Sequence, residues 1–156
     1  MNNDFTISEM RSENLKDTLD LVLRVFMEYE APAYSDEGTQ LFKNIIEINT
    51  VQKAIDEKRF FIWCCYENER VVGVIAMIPP CHIELLFVDG EYHRRGIARA
   101  MITHVIEHYK SNYDSKEMTV NSSPYAVEIY HRLGFSDTDI EQTVYGLRYT
   151  PMRRPL

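Results

Sequence analysis

The stretch HIELLFVDGEYHRRGIAR, residues 82–99, contains the features that decide the fold. Its first seven residues are rich in branched and aromatic side chains, which predicts a β-strand. Its last residues begin a helical pattern that runs over about residues 98–111. The apolar positions on one face of that helix are Met101, Ile102, Val105, Ile106 and Tyr109. The segment therefore predicts a buried strand that leads through a short loop into a helix.

The loop between this strand and this helix is suited to an anion. The first N–H groups of a helix lack partners within it, and the helix dipole is positive at that end. Gly96 and Ala98 allow a ligand to approach the backbone closely. The positive charges of the loop come from His93, Arg94, Arg95 and Arg99. A pyrophosphate is the expected ligand, although an ordinary strand-to-helix loop with solvated arginines would have the same local pattern.

The rest of the chain places strands and helices around this unit. FFIWCCYE and RVVGVIAMI flank Asn68-Glu69 and predict an antiparallel hairpin. Other strands are expected at 4–11, 116–122 and 143–149, and helices at Leu19 to Phe26, after Gly38, after a Thr50 cap and from Pro124 to Gly134, with a loop over 28–37. This order predicts an α/β (α+β) fold with a mixed, mostly antiparallel, twisted sheet of six to seven strands flanked by helices, in one domain over 1–156.

Composition restricts the partners. The chain has 17 basic and 24 acidic residues in 156, a net charge of −7, which disfavours a nucleic-acid surface and suits a cationic partner. No apolar run reaches the roughly 18 residues that span a bilayer, and the first residues do not resemble a secretion signal, so no membrane association is expected. Cys64, Cys65 and Cys81 have no zinc-site spacing. We expect packed, reduced thiols in a cytoplasmic protein without a metal.

Two motifs carry a resemblance to a known family. LFVDGEYHRRGIARAMITHVI, residues 86–106, resembles the acetyl-CoA signature of the GNAT superfamily of N-acetyltransferases, whose core is Gln/Arg-x-x-Gly-x-Gly/Ala. Here the core is residues 93–98, with His93 at the first position. VNSSPYAVEIYHRLGF, residues 120–135, is similar to the second motif of the family. The matching positions of that motif are Asn121, Ala126, Tyr130, Gly134 and Phe135.

The resemblance implies acetyl-CoA as the acetyl donor. The expected coenzyme-binding residues are Leu86, Phe87, Val88, His93, Arg94, Arg95, Gly96, Ile97, Ala98, Arg99, Asn121 and Tyr130. Tyr130 falls where many family members keep a tyrosine near the coenzyme sulfur, and a phenol can protonate a departing thiolate; packing in the core is the alternative. Asn121 either binds the pantetheine amides or ends its strand.

An attacking amine must lose a proton, and the candidate bases lie on the central strand. Period-two alternation places His82 and Glu84 on one face with Leu86 and Val88, and Ile83, Leu85 and Phe87 on the other. Family members often have a Glu or His at one of these two polar positions, so the expected base is Glu84, with His82 second. Structural hydrogen bonds are the alternative for both, and ordered waters can also carry the proton.

The resemblance implies direct attack by a primary amine of a small molecule or peptide in a ternary complex. The family builds its acceptor site largely from the segment that is Phe26 to Phe42 here. Its candidates for binding a cation or an aromatic ring are Glu28, Glu30, Asp36, Glu37, Tyr29 and Tyr34. A non-catalytic acetyl-CoA-binding sensor or partner-binding module is the alternative function. Monomer and homodimer are both compatible with the sequence, and the tail 151–156 either crosses to a partner or lies free.

Overall fold

The computed structural model describes residues 4–156, which form one eight-stranded sheet with helices on both faces. The strands are β1 (Phe5–Glu9), β2 (Phe61–Glu67), β3 (Arg70–Ile78), β4 (His82–Val88), β5 (Glu117–Ser122), β6 (Ser136–Asp137), β7 (Gln142–Val144) and β8 (Leu147–Pro155). Their order is β1-β2-β3-β4-β5-β8-β6, with β7 paired to β8. Only the β4–β5 pair is parallel among the described strands. The predicted mixed, mostly antiparallel sheet is confirmed.

Two groups of helices cover the sheet. The helices are α1 (Leu15–Val25), α2 (Asp36–Ile45), α3 (Ile48–Asp56), α4 (Ile97–Asn112) and α5 (Val127–Arg132). One core cluster joins α1 and α3 to the sheet, and a second joins α4 and α5 to its opposite face. Helix α1 does this because Leu15, Leu19 and Val22 recur at helical spacing and are all buried. No helix within residues 4–156 is long and apolar enough to cross a membrane.

Strands β2 and β3 form the predicted hairpin, and their period-two pattern divides β2 between the two cores. Cys64 packs in the α1 core and Cys65 in the α4 core, as alternation along a strand requires. Cys81 is also buried in the α4 core, and all three thiols are free. Burial raises the pKa of Cys81 to about 11, so this thiol is protonated at neutral pH and packs as a small apolar residue.

Strand β4 does not alternate regularly, because it contains a β-bulge. Ala76 pairs with Leu85 and Met77 with Ile83, so Glu84 has no partner residue on β3. The extra residue rotates the strand: Ile83 packs in the α4 core, whereas Leu85 and Phe87 pack in the α1 core. The expectation that Ile83 shares a face with Leu85 and Phe87 is therefore wrong.

Three local predictions differ from the structure in the first helices. Glu47 caps α3 instead of Thr50, since its carboxylate accepts from the Thr50 N–H at 3.0 Å. Helix α2 begins two residues before Gly38, because Ser35 caps it. The expected loop over 28–37 is partly helical: residues 26–30 continue α1 as a π-helical turn, and residues 31–33 form a 3₁₀ turn.

The carboxyl-terminal part of the sheet also differs from the prediction. The expected strand over 143–149 is a hairpin, because Tyr145 and Gly146 adopt positive φ angles of 51° and 82° between β7 and β8. Strand β8 then runs to Pro155 between β5 and β6. The tail therefore neither lies free nor crosses to a partner, and the sheet gains strands beyond the six or seven expected. Prolines are rare inside strands, so the prolines of residues 151–156 argue against a strand when only the sequence is considered.

Candidate active site

A cleft opens where β4 and β5 diverge. The two strands pair only at His82–Thr119 and Ile83–Val120, and from Glu84 onward the edge of β4 that faces β5 has no strand partner within residues 4–156. The cleft has a volume of about 330 Å³ and continues under α2 and the β7–β8 hairpin. Its wall contains His82, Glu84, Leu86, Phe87, Asn121 and Tyr130 from the predicted site. The splayed strands thus bring both sequence motifs to one cavity.

The loop after β4 presents backbone N–H groups to solvent. Arg94 and Gly96 have positive φ angles of 63° and 78°, the left-handed backbone from which anion-binding nests are built. Gly96 is the N-cap of α4, and the loop from Arg94 to Gly96 is exposed. A Cβ atom built on Gly96 would meet no atom within 4 Å, so the space above the loop is open. These features fit a diphosphate that binds to the amides at the start of α4.

The loop is fixed to the sheet by Asp89, a 5% exposed carboxylate. Asp89 accepts from the guanidinium of Arg24 at 2.8 Å and that of Arg70 at 3.4 Å, and from the Glu91 N–H at 3.0 Å. Both cations reach it from other elements, so the loop is held between α1 and β3. Such contacts keep the N–H groups of the loop in place before a ligand arrives.

His93, which departs from the Gln/Arg of the signature, also fixes the loop. Its Nε2 lies 2.7 Å from the carbonyl oxygen of Val88, which closes the turn between the strand and the helix. Its ring lies 4.9 Å from that of Tyr29. The side chain of His93 is thereby committed to the protein, and its backbone remains the part that can contact a coenzyme.

The other predicted coenzyme residues divide into exposed cations and buried packing residues. Arg95 lies over the Tyr92 ring at 4.9 Å, and Arg99 donates to the Arg132 carbonyl at 3.0 Å. Ile97 is buried in the α4 core and Ala98 packs against that core, so only their backbone N–H groups face the loop side.

Tyr130 lines the cleft from α5. Its side chain is 5% exposed and packs edge-on against Phe135, with 5.3 Å between ring centroids. Burial raises the pKa of its hydroxyl, and the charge of Glu30 raises it further. The phenol therefore keeps its proton at neutral pH, which a general acid requires, and the same burial also satisfies the packing interpretation.

The two candidate bases sit differently. Glu84 is exposed to the cleft at the bulge, and desolvation of its carboxylate by the surrounding protein raises its pKa. His82 is half-buried, its Nδ1 lies 2.7 Å from the Thr119 hydroxyl, and burial lowers its pKa. Each shift favours the neutral form of the group. Glu84 is thus a stronger base than an ordinary carboxylate, and His82 stays uncharged near neutral pH.

Glu30 is a functional candidate that the sequence did not single out from the other acids. It lines the cleft and is half-buried, whereas Glu28, Asp36 and Glu37 are exposed and outside it. Burial raises the pKa of Glu30 to about 7, and the nearby Ser123 hydroxyl opposes that rise. The signal that separates it is the π-helical turn at residues 26–30, which the apolar pattern did not predict.

The acceptor side of the cleft is closed by α2 and the β7–β8 hairpin. Gly38 and Gly146 are in backbone contact, so that a Cβ on Gly38 would collide with the Gly146 carbonyl oxygen. Arg148 donates to both carboxylate oxygens of Glu141 at 3.1 Å. Phe26 and Phe42 stack with 3.8 Å between centroids and add an apolar wall.

Known proteins share both sequence and fold with this chain. A family model described as an acetyltransferase (GNAT) domain matches residues 30–156. The uncharacterized N-acetyltransferase YafP of Escherichia coli (strain K12) is 32% identical over 98 residues, 58% of this chain and 61% of YafP. The uncharacterized N-acetyltransferase MJ1207 of Methanocaldococcus jannaschii is 26% identical over 152 residues, 87% of this chain and 62% of that protein. The chain thus spans less than two thirds of the length of these relatives.

A solved structure extends the similarity to the whole fold. The PaiA N-acetyltransferase of Thermoplasma acidophilum, in complex with coenzyme A, has a TM-score of 0.81 to this chain at 13% identity. The superposition covers 97% of this chain and 99% of that one. With the family model matched over residues 30–156, these similarities show that the chain belongs to the GNAT acetyltransferase family of enzymes.

Proposed function

We propose that this protein transfers the acetyl group of acetyl-CoA to a primary amine of a small molecule or peptide, by direct attack in a ternary complex. The observation that carries the proposal is the cleft between β4 and β5, which contains Tyr130 and Glu84 in its wall. An acyltransferase needs a phosphate anchor, an acid and a base. The cleft supplies candidates for the acid and the base, and the loop that follows β4 supplies a candidate for the anchor.

The coenzyme fits along the open edge of β4. The backbone N–H groups of residues 94–98 and the arginines beside them would hold the diphosphate. The unpaired edge at Leu86, Phe87 and Val88 would pair with the amides of the pantetheine arm, with Asn121 on the opposite strand. When bound, acetyl-CoA supplies the thioester whose carbonyl carbon accepts the amine.

The chain's own residues move the protons. An acceptor that binds as an ammonium first loses one proton, so that its neutral nitrogen can attack; Glu84 takes this proton, directly or through a water, and passes it to solvent, with His82 as the second candidate. As the new N–C bond forms and the C–S bond breaks, the nitrogen loses a second proton by the same route, and the sulfur gains one from Tyr130. A backbone N–H near Val88 would stabilise the developing oxyanion. The scheme assigns each proton to a side chain or a water and uses no metal.

The wider setting is part of the same proposal. We place the reaction in the cytoplasm, supported by three free, buried thiols in the described chain, and assign residues 1–156 to a single acetyltransferase domain. A monomer and a homodimer would both leave the cleft complete, because residues of one chain line it.

The experiment that tests this function measures free thiol released from acetyl-CoA over a panel of primary amines, with coenzyme binding followed by calorimetry on the same sample. We expect binding, and release that depends on one class of amine. Binding without release from any amine would favour the alternative of a non-catalytic acetyl-CoA-binding sensor or partner-binding module. No binding would overturn the assignment of the loop at residues 93–99.

A further inference from the structure

We propose that Glu30 is the carboxylate that receives the ammonium group of the acceptor, and that the cleft selects a cationic amine on an apolar body over an amine with an adjacent carboxylate. The inference deepens the proposed function and rests on it. It names a binding residue and a chemical class of acceptor for the same cleft.

Glu30 lies where it can contact a ligand in the cleft. The π-helical turn at residues 26–30 carries the chain from α1 toward the cleft, and Glu30 is its last residue. Inserted π-turns inside helices are frequent at functional sites. Glu30 lines the cleft together with Tyr130, and its charge acts on the Tyr130 hydroxyl. An ammonium group bound to Glu30 would therefore lie near the proposed acid.

Ser123 supplies a second, independent observation. This residue is only 7% exposed and lines the cleft, yet its Oγ has no hydrogen-bond partner within residues 4–156. The hydroxyl lies close enough to Glu30 and Tyr34 to lower the pKa of both, but reaches hydrogen-bond geometry with neither. Buried polar atoms are nearly always paired, so an unpartnered hydroxyl beside a carboxylate points to a ligand with N–H donors. A primary ammonium has three.

The charged residues that line the cleft favour a cation. The cleft contains two carboxylates, Glu30 and Glu84, and one guanidinium, that of Arg148. Arg148 is already matched by a bidentate contact with Glu141. The uncompensated charge of the cleft is thus negative, which attracts a cation and repels a carboxylate carried next to the amine.

The walls indicate the body of the acceptor. The aromatic side chains that line the cleft are Phe26, Tyr34, Phe42, Phe87, Tyr130 and Tyr149. Phe26 stacks on Phe42 and also lies 5.6 Å from Tyr34. Such walls bury an alkyl or aryl group and also favour a cation through the faces of the rings.

Protonation provides a signature of this contact. The pKa of about 7 means that the free Glu30 is partly protonated at neutral pH, and a bound ammonium would favour its ionised form. The titratable and charged groups that face it are Tyr34 on its own segment, Tyr125 and Tyr130 near α5, His82 and Glu84 on β4, and Arg148 on β8. Binding of a cationic amine at pH 7 should therefore release about half a proton per site.

The test compares the parent with Glu30→Gln and with Glu28→Gln, a matched control two residues away on the exposed side of the same turn. The probes are 2-phenylethylamine and phenylalanine, which differ by one carboxylate. We expect the parent to prefer 2-phenylethylamine by about 100-fold in kcat/KM. Glu30→Gln should raise the KM for 2-phenylethylamine about tenfold and leave kcat within about threefold of the parent. The preference for 2-phenylethylamine over phenylalanine should fall accordingly. Glu28→Gln should match the parent.

A binding measurement keeps the inference testable apart from turnover. Calorimetry of 2-phenylethylamine with the CoA-loaded protein, in phosphate and in MOPS at pH 7, reports the protons released, because the two buffers have different heats of ionisation and neither is a primary amine. We expect release from the parent and Glu28→Gln and its loss in Glu30→Gln. Equal release from Glu30→Gln, no amine binding to the parent, or unchanged KM in Glu30→Gln would overturn the role of Glu30.

The ammonium site at Glu30 and the acetyltransferase activity can be tested separately. If the parent binds coenzyme and amine with proton release but frees no thiol, the ammonium site stands and the acetyltransferase activity falls. If the parent frees thiol with 2-phenylethylamine and Glu30→Gln behaves in the same way, the activity stands and the ammonium site falls. Retained coenzyme affinity in Glu30→Gln shows that the variant is folded.

Discussion

The two ends of the cleft are built in different ways. The coenzyme end comes from one contiguous segment, residues 82–99, and presents mainly backbone: the open edge of β4 and the N–H groups before α4. The acceptor end brings together residues 26–42, the end of β5 and the β7–β8 hairpin, and presents side chains such as Glu30 and Ser123. Backbone geometry is encoded locally, whereas a side-chain site depends on how distant segments pack.

Tyr130 lies where the two ends meet, and its replacement should have the largest effect. Tyr130→Phe removes the proposed proton donor to sulfur and retains the ring that packs on Phe135. Turnover should fall about 10³-fold with little change in coenzyme affinity, because the hydroxyl acts on the leaving group. Steady-state thiol release and calorimetric coenzyme binding measure the two quantities. Unchanged turnover would show that the Tyr130 hydroxyl does not protonate the sulfur, and would leave Tyr130 with a packing role.

Glu84 tests whether the coenzyme strand also supplies the base. Glu84→Gln keeps the shape of the bulge but cannot accept a proton from the amine, so kcat/KM should fall about 10²-fold. The loss should grow as pH falls toward the pKa of Glu84, because less of the amine is free base, and should shrink below it, where the carboxyl of the parent is itself protonated. Burial raises the pKa of Glu84, so the parent itself should lose activity as pH falls through that raised value. A pH–rate profile of both proteins measures this.

His82→Ala serves as the comparison for Glu84→Gln, since it removes the second candidate and its contact with Thr119. A larger loss in His82→Ala than in Glu84→Gln would assign the base to the histidine. Two variants with the parent's pH profile would leave ordered water as the route for the proton.

The sequence predicted the parts of the fold whose patterns are local. Strand β4 has the predicted bounds, and α4 begins one residue before and ends one residue after its expected limits. The errors lie where packing over a long sequence distance overrides the local pattern. Strand β8 contains Pro151 and Pro155 and still pairs with β5, because β5 exposes an edge that has few other partners. The bulge at Glu84 likewise depends on the register with β3.

The same division applies to the candidate site. The sequence motifs named residues on β4, the following loop, β5 and α5. The predicted residues that line the cleft are His82, Glu84, Leu86, Phe87, Asn121 and Tyr130, whereas residues 93–99 lie outside its lining. The sequence could not separate Glu30 from the three other acidic residues of the segment 26–42. No local pattern in that segment reveals which acid the π-helical turn places in the cleft. The unpartnered Ser123 hydroxyl is likewise visible only after β5 and the first helices are packed together.

Gly38→Ala tests the packing that closes the acceptor end. The added Cβ would collide with a backbone group, the carbonyl of Gly146, so α2 or the hairpin would have to move. The free energy of unfolding should fall by about 2 kcal/mol. Gly73→Ala is the matched control, since its Cβ meets the end of the flexible Met101 side chain. Denaturant titration measures both, and equal losses would show that the contact between α2 and the hairpin has no special role.

Gly96→Ala tests the coenzyme end alone and should have the smallest effect. The φ angle of 78° is strained for alanine by about 1 kcal/mol, and no protein atom lies within 4 Å of the new Cβ. The protein should fold, but its affinity for coenzyme A should fall about fivefold, because the loop relaxes away from the geometry that presents its N–H groups. Gly134→Ala, at a φ of 94° outside the loop, is strained in the same backbone region, and its Cβ would also lie 3.3 Å from Nε of Arg154; this variant should bind coenzyme A as the parent does. Calorimetry on both variants separates a backbone anchor for phosphate from a general loss of stability, and equal affinities in Gly96→Ala and the parent would shift the anchoring role from the backbone to the arginines.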